Sequence, residues 1–200
     1  GIDWSPSAYI KASNPDSGDD FGYSVTLSGD ATTLVVSAEG ESSATGIPAD
    51  NGATNSGALY VFHPSPWSQT QYSKAPNIGA NDAMGFGPAT TMTGEVVVIG
   101  APFEASAATG INGNGDDNSA PDSGAAYLFF TLGSFPSRYI KTPALGANPT
   151  AGDQFGWQCA ISGTGAVTAI SAPFEDGSGR GIDPPVDEAA MNAGAVYIHY

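Results

Sequence analysis

Apolar and polar positions along the chain fall into short runs separated by turn-forming residues. "YSVTLS", "PATTMT" and "WQCAIS" alternate between apolar and polar positions, the pattern of a half-buried strand. Each is followed by a turn and then by a nearly continuous apolar run, "TLVVSAE", "VVVIGAP" or "VTAISAP". Such runs predict strands buried on both faces. After a long polar loop comes a third strand, "SGALYVFH", "SGAAYLFF" or "AGAVYIHY". A fourth pattern, "AYIKAS", "QYSKAP" or "RYIKTP", opens each unit. No stretch keeps a helical period, and no apolar run approaches the ~18 residues of a membrane-spanning helix.

The four patterns recur three times in one order, giving repeat units 8–62, 71–130 and 138–200. Phe-Gly anchors them at Phe21-Gly22, Phe86-Gly87 and Phe155-Gly156, with Met84-Gly85 a competing anchor in the middle copy. Gly57, Gly124 and Gly194 each precede the Tyr strand, which predicts a bend or a close backbone approach that a Cβ would block. A unit of four antiparallel strands is a propeller blade, and one blade cannot bury both its faces, so neighbours must stack. The expected fold is a single all-β domain over 1–200, a β-propeller of three four-stranded antiparallel blades.

Phe-Gly, then Gly100-Ala101-Pro102, then the "GAVYI" strand resembles the FG-GAP repeat of integrin α-subunit propellers. It is more similar still to the tandem repeats of secreted and cell-surface bacterial proteins. The middle element is altered to Ser37-Ala38-Glu39 and Ser171-Ala172-Pro173 in the other copies. The resemblance extends over residues 8–200 and implies a non-enzymatic, extracellular or cell-surface protein serving adhesion, ligand recognition or assembly. One fungal relative is a sugar-binding lectin, so glycans or surface proteins are implied partners. The family's usual calcium loop does not carry over, because the turns "SGDATT", "TGE" and "SGTGA" offer one carboxylate at most, Asp30 or Glu95.

The order of the strands raises a question of closure. The chain opens on an outer strand at 8–13 and stops on a third strand at 194–200, so the third blade has its spare strand at the opposite end of the sequence. Propellers close with about four to eight blades, so three need a partner chain or further blades. Strand 8–13 is expected to complete blade 3 of a neighbouring copy, through Tyr9, Ile10 and Lys11 on one side and Tyr197 and Ile198 on the other. A six-bladed ring of two chains, a head-to-tail filament, and a fragment of a longer propeller all remain open.

Composition adds constraints on partners. Twenty acidic residues against five basic give a net charge of −15 and a pI near 4.1. That surface repels phosphate backbones and anionic headgroups, which argues against nucleic acid and against membrane insertion. The single cysteine, Cys159, sits in an apolar alternation and reads as a small buried hydrophobe. "GIDWSP" has no initiator Met, as expected of a mature or excised product.

Acidic residues gather in the loop between the second and third strands. Aligned copies share Glu41, Glu104 and Glu175. With Asp116, Asp117, Asn118 and Asp122, Glu104 could furnish the oxygen shell that Ca²⁺ requires. Turn formation accounts equally for the Asp and Asn residues, and a carboxylate pinning the loop to backbone N–H groups accounts for the repeated Glu. A lectin-like module binding glycans there, with or without calcium, is the alternative to self-assembly. Lys11, Lys74 and Lys141 recur in phase and read as charges guarding the outermost strand against edge pairing. His63 and His199 read as equivalent strand ends rather than a catalytic pair, and no catalytic motif occurs.

Overall fold

The computed structural model describes residues 5–132, 137–143, 150–184 and 187–200. Among these residues all regular structure is β, in three antiparallel sheets. The first holds β1 (Val25–Leu27), β2 (Leu34–Ala38), β3 (Ala58–His63) and β4 (Ser68–Ser73), paired in that order. The second holds β5 (Phe86–Thr90), β6 (Val96–Ala101), β7 (Ala125–Phe130) and β8 (Arg138–Ile140). The third has three strands, β9 (Cys159–Ile161), β10 (Thr168–Ala172) and β11 (Ala195–His199), with β11 at its edge.

Sequence units and blades are out of step. Units 71–130 and 138–200 each begin with a strand, β4 or β8, that hydrogen-bonds into the preceding sheet. The expected strand at 8–13 does not form within the chain: among the described residues it has no ladder partner, and Ser13 N–H donates instead to the Gln69 side chain. The middle anchor is Met84-Gly85, not Phe86-Gly87. Gly85 donates to Gly100 O as Gly22 does to Ser37 O and Gly156 to Ser171 O. Met84 bridges Gly57 as Phe155 bridges Gly124. Phe86 instead aligns with Tyr23 and Trp157, and the three rings form a row with centroids 5.1 and 5.2 Å apart.

The sheets stack face to face, and strand alternation decides which side chain meets which neighbour. Val35, Leu59 and Val61 of blade 1 pack on Val97, Ile99, Tyr127 and Phe129 of blade 2. Val98, Ala126 and Leu128 of blade 2 meet Ile170, Ala172 and Tyr197 of blade 3. Because both faces of β2 and β6 are covered, their apolar runs are continuous, as the sequence predicts. In β10 burial alternates, and on the outward face Val196 and Ile198 are 65% and 48% exposed. The leading face of blade 1 is covered differently: Ile10, Ala12 and Phe21 close over Val36, Tyr60 and Phe62.

Gly57 and Gly124 have φ of +80° and +81°, and a Cβ on either would stand 2.1 Å from a backbone oxygen of the next blade. Close backbone approach between blades is therefore what the recurring glycine permits. At Gly194 the φ is +77°, yet a Cβ would meet nothing nearer than Pro173 O at 3.1 Å.

Candidate functional site

The recurring Glu follows the buried second strand, at the turn where the chain leaves the sheet. Each Glu N–H closes that turn on the last strand residue, Ala38, Ala101 or Ala172. Each Glu carbonyl accepts from the glycine that starts the third strand, at 2.8–2.9 Å. The side chain is thereby directed inward. Its Oε2 accepts a backbone N–H two residues on, from Ser43, Ser106 or Gly177, at 3.1–3.2 Å. The expected pinning of the loop by the repeated carboxylate is present in all three copies.

Two of these carboxylates hold a buried lysine. Lys74 Nζ lies 2.6 Å from Glu41 Oε2 and 2.7 Å from Ser56 Oγ. Lys141 Nζ lies 2.9 Å from Glu104 Oε2 and 2.7 Å from Ser123 Oγ. Both lysines and both glutamates are buried. The reading of Lys74 and Lys141 as exposed edge guards is thus overturned. They directly follow the outer strands β4 and β8, and the strand's end turns them under the sheet rather than outward. Lys11, by contrast, is exposed.

A tyrosine and an asparagine finish each socket. Tyr60 OH donates to Asn14 Oδ1, and Asn14 Nδ2 reaches Glu41 Oε1 at 3.4 Å and Pro48 O at 3.1 Å. Tyr127 OH donates to Asn77 Oδ1, and Asn77 Nδ2 donates to Glu104 Oε1 at 3.0 Å. Tyr139 OH donates to Glu104 Oε1 as well. Burial, with Glu104 adding to it, pushes the Tyr127 and Tyr139 phenols upward, so both stay protonated donors. Burial also pulls Lys74 and Lys141 below the usual lysine range, while their glutamates favour the charged form.

Blade 3 has the carboxylate but not this company. Glu175 is buried, its side chain accepts the Gly177 N–H, and Ala193 stands where Ser56 and Ser123 stand. Among the described residues the ion pairs are those of Lys74 and Lys141.

Residues 4–62 match the family model of the FG-GAP repeat. The chain carries an FG-GAP repeat there. The match spans the first copy, and the second and third reproduce its anchor bonds and strand order. No curated protein matches the chain.

The residues expected to bind calcium do not converge. Glu104 is committed to Lys141, Asn77, Tyr139 and Ser106 N–H. Asp117 caps its own loop at Ser119. Asp116 and Asn118 line one hollow and Asp122 another. No cluster of three His, Cys, Asp or Glu residues suited to a metal is present among the described residues. His63 and His199 are not equivalent either. Leu34 faces Phe62 and Thr168 faces His199, so His199 matches Phe62 and the two histidines lie on opposite faces. Cys159 is half-buried in the core between blades 2 and 3, where burial pushes its thiol up to about 12. Of the residues expected to act in assembly, Tyr9 and Lys11 are exposed and Ile10 packs on blade 1. Tyr197 faces blade 2 and Ile198 faces outward.

The socket network has one titrating neighbour that sequence reasoning missed. Asp82 is buried, and burial first, then Glu104, pushes its carboxyl up to about 7; Lys141 and Lys74 oppose the shift. Between the usual 3.8 and 7 the unfolded chain releases this proton first, so stability falls as pH rises through that window, by at most about 4 kcal/mol. Asp82→Asn is expected to raise the thermal midpoint at pH 8 and to leave it unchanged below pH ~4. Thermal melts of both proteins at the two pH values check this.

Proposed function

We propose that this FG-GAP repeat protein is a non-enzymatic, extracellular module that works by associating with further copies of itself, in adhesion or in a structural assembly. The uncovered face of blade 3 carries this reading. Every other sheet face is closed by a neighbouring sheet or by residues 10–21, whereas Val196 and Ile198 present β-branched side chains to solvent from an unpaired edge strand. An edge of that kind pairs readily with another chain. The acidic surface supports a soluble exterior setting, and no described helix is long and apolar enough to cross a membrane.

The contact would be heterologous, one end of a copy against the other end of the next, which generates rings where the rotation closes and filaments where it does not. Sedimentation velocity with electron microscopy of the 200-residue chain tests this. Species larger than the 20.1 kDa monomer, as rings or filaments, are expected. A chain that stays monomeric throughout the micromolar range would count against the reading.

A further inference from the structure

We propose that the Glu175 socket takes Lys11 of a second copy of the chain, with residues 8–10 of that copy pairing as a fourth strand on β11. The inference rests on the self-association reading and gives it a specific register.

The position of Lys11 is set by residues already in place. Asn14 holds Tyr60 and Glu41 as Asn77 holds Tyr127 and Glu104. Ala12 packs on the leading face of blade 1 as Ala75 packs on that of blade 2. Residues 12–14 thus occupy on blade 1 the place that 75–77 occupy on blade 2. Lys74, one residue earlier, reaches back into the socket of the preceding blade. By the same geometry Lys11 points toward the socket of a blade preceding blade 1, and it is exposed where Lys74 and Lys141 are buried.

The far end of the chain offers the complement. Tyr72 lies opposite Tyr60 and Tyr139 opposite Tyr127, with ring centroids at 5.2 and 5.6 Å, and in each case the lysine follows two residues after the outer tyrosine. Tyr9-Ile10-Lys11 repeats that spacing, Tyr9 is 89% exposed, and the partner position on β11 is Tyr197. In this register Lys11 arrives at Glu175. A lysine there would turn a buried carboxylate held by one N–H into the paired arrangement seen twice elsewhere.

Backbone groups agree independently. Between blades, Ala83 and Met84 donate to Asn55 O and Ser56 O, and Gln154 and Phe155 donate to Asp122 O and Ser123 O. The equivalent acceptors on blade 3 are Asn192 O and Ala193 O, and the equivalent donors on blade 1 are Asp20 and Phe21 N–H. None of these has a backbone partner among the described residues. Gly194 leaves open the space that Met84 and Phe155 fill beside Gly57 and Gly124.

Charge reversal tests the pairing. Lys11→Glu and Glu175→Lys, each alone, are expected to weaken self-association of the 200-residue chain at least about 100-fold, as breaking a buried pair does. An equimolar mixture of the two variants restores both contacts with opposite charges matched, and is expected to recover assembly; so is the doubly reversed chain. Lys11 is exposed, so its variant keeps the monomer fold, which circular dichroism verifies. If the wild type assembles but the single variants assemble equally well, or the mixture fails to recover, the Lys11–Glu175 pairing is wrong and self-association stands. A monomeric wild type would overturn both.

Discussion

Lys141→Ala is expected to destabilise the chain by about 3–5 kcal/mol, a large fraction of what a domain of this size has. The loss comes chiefly from what is left behind. Glu104 stays 1% exposed and pinned to Ser106 N–H, with its charge no longer matched. Such a carboxylate takes up a proton more readily than in the unfolded chain, so its penalty grows as pH rises. The deficit should accordingly be larger at pH 8 than at pH 5, as read from urea unfolding midpoints. Adding Glu104→Gln to Lys141→Ala removes the stranded charge and should recover part of the loss. A deficit that neither depends on pH nor responds to Glu104→Gln would mean that lost packing, rather than lost pairing, dominates. Lys11→Ala should leave monomer stability unchanged, because that side chain is exposed.

Gly124→Ala is expected to cost about 4 kcal/mol or more, since two penalties coincide there. Its φ of +81° disfavours any Cβ, and that Cβ would lie 2.1 Å from Phe155 O and 2.5 Å from Phe155 N. Both atoms are backbone of the next blade and cannot swing aside, so blades 2 and 3 would have to separate. Gly194→Ala meets the same φ penalty with no atom closer than 3.1 Å, and should cost only about 1–2 kcal/mol. Differential unfolding of the two variants separates backbone strain from blade packing; equal losses would show that strain alone is at work.

The architecture was legible in the residues because its signals are periodic. Alternating, continuous and Tyr-bearing strands, repeated three times, are enough to specify three blades and their stacking. The phased Glu and Lys residues were visible too, but their partnership was not. Lys74 and Glu41 lie far apart in the chain, and nothing local shows that an outer strand's end turns its lysine beneath the sheet. The middle anchor was ambiguous for a similar reason, since Met84-Gly85 and Phe86-Gly87 are equally good phrases until hydrogen bonds to Gly100 distinguish them. Asp82 resembles any turn-forming aspartate until burial beside Glu104 makes it a titrating group near neutrality.

By itself the sequence determined the strand order, the repeat and the presence of an unmatched Tyr-Ile-Lys segment at residues 9–11. Tertiary structure alone decided that two lysines are buried ion-pair partners, that four acidic loop residues and Asn118 do not gather into a metal site, and that 8–13 forms no strand within the chain. The division has a physical cause. Strand periodicity is written in neighbouring residues, whereas burial, charge pairing and close backbone approach depend on groups that stacking brings together from distant parts of the chain.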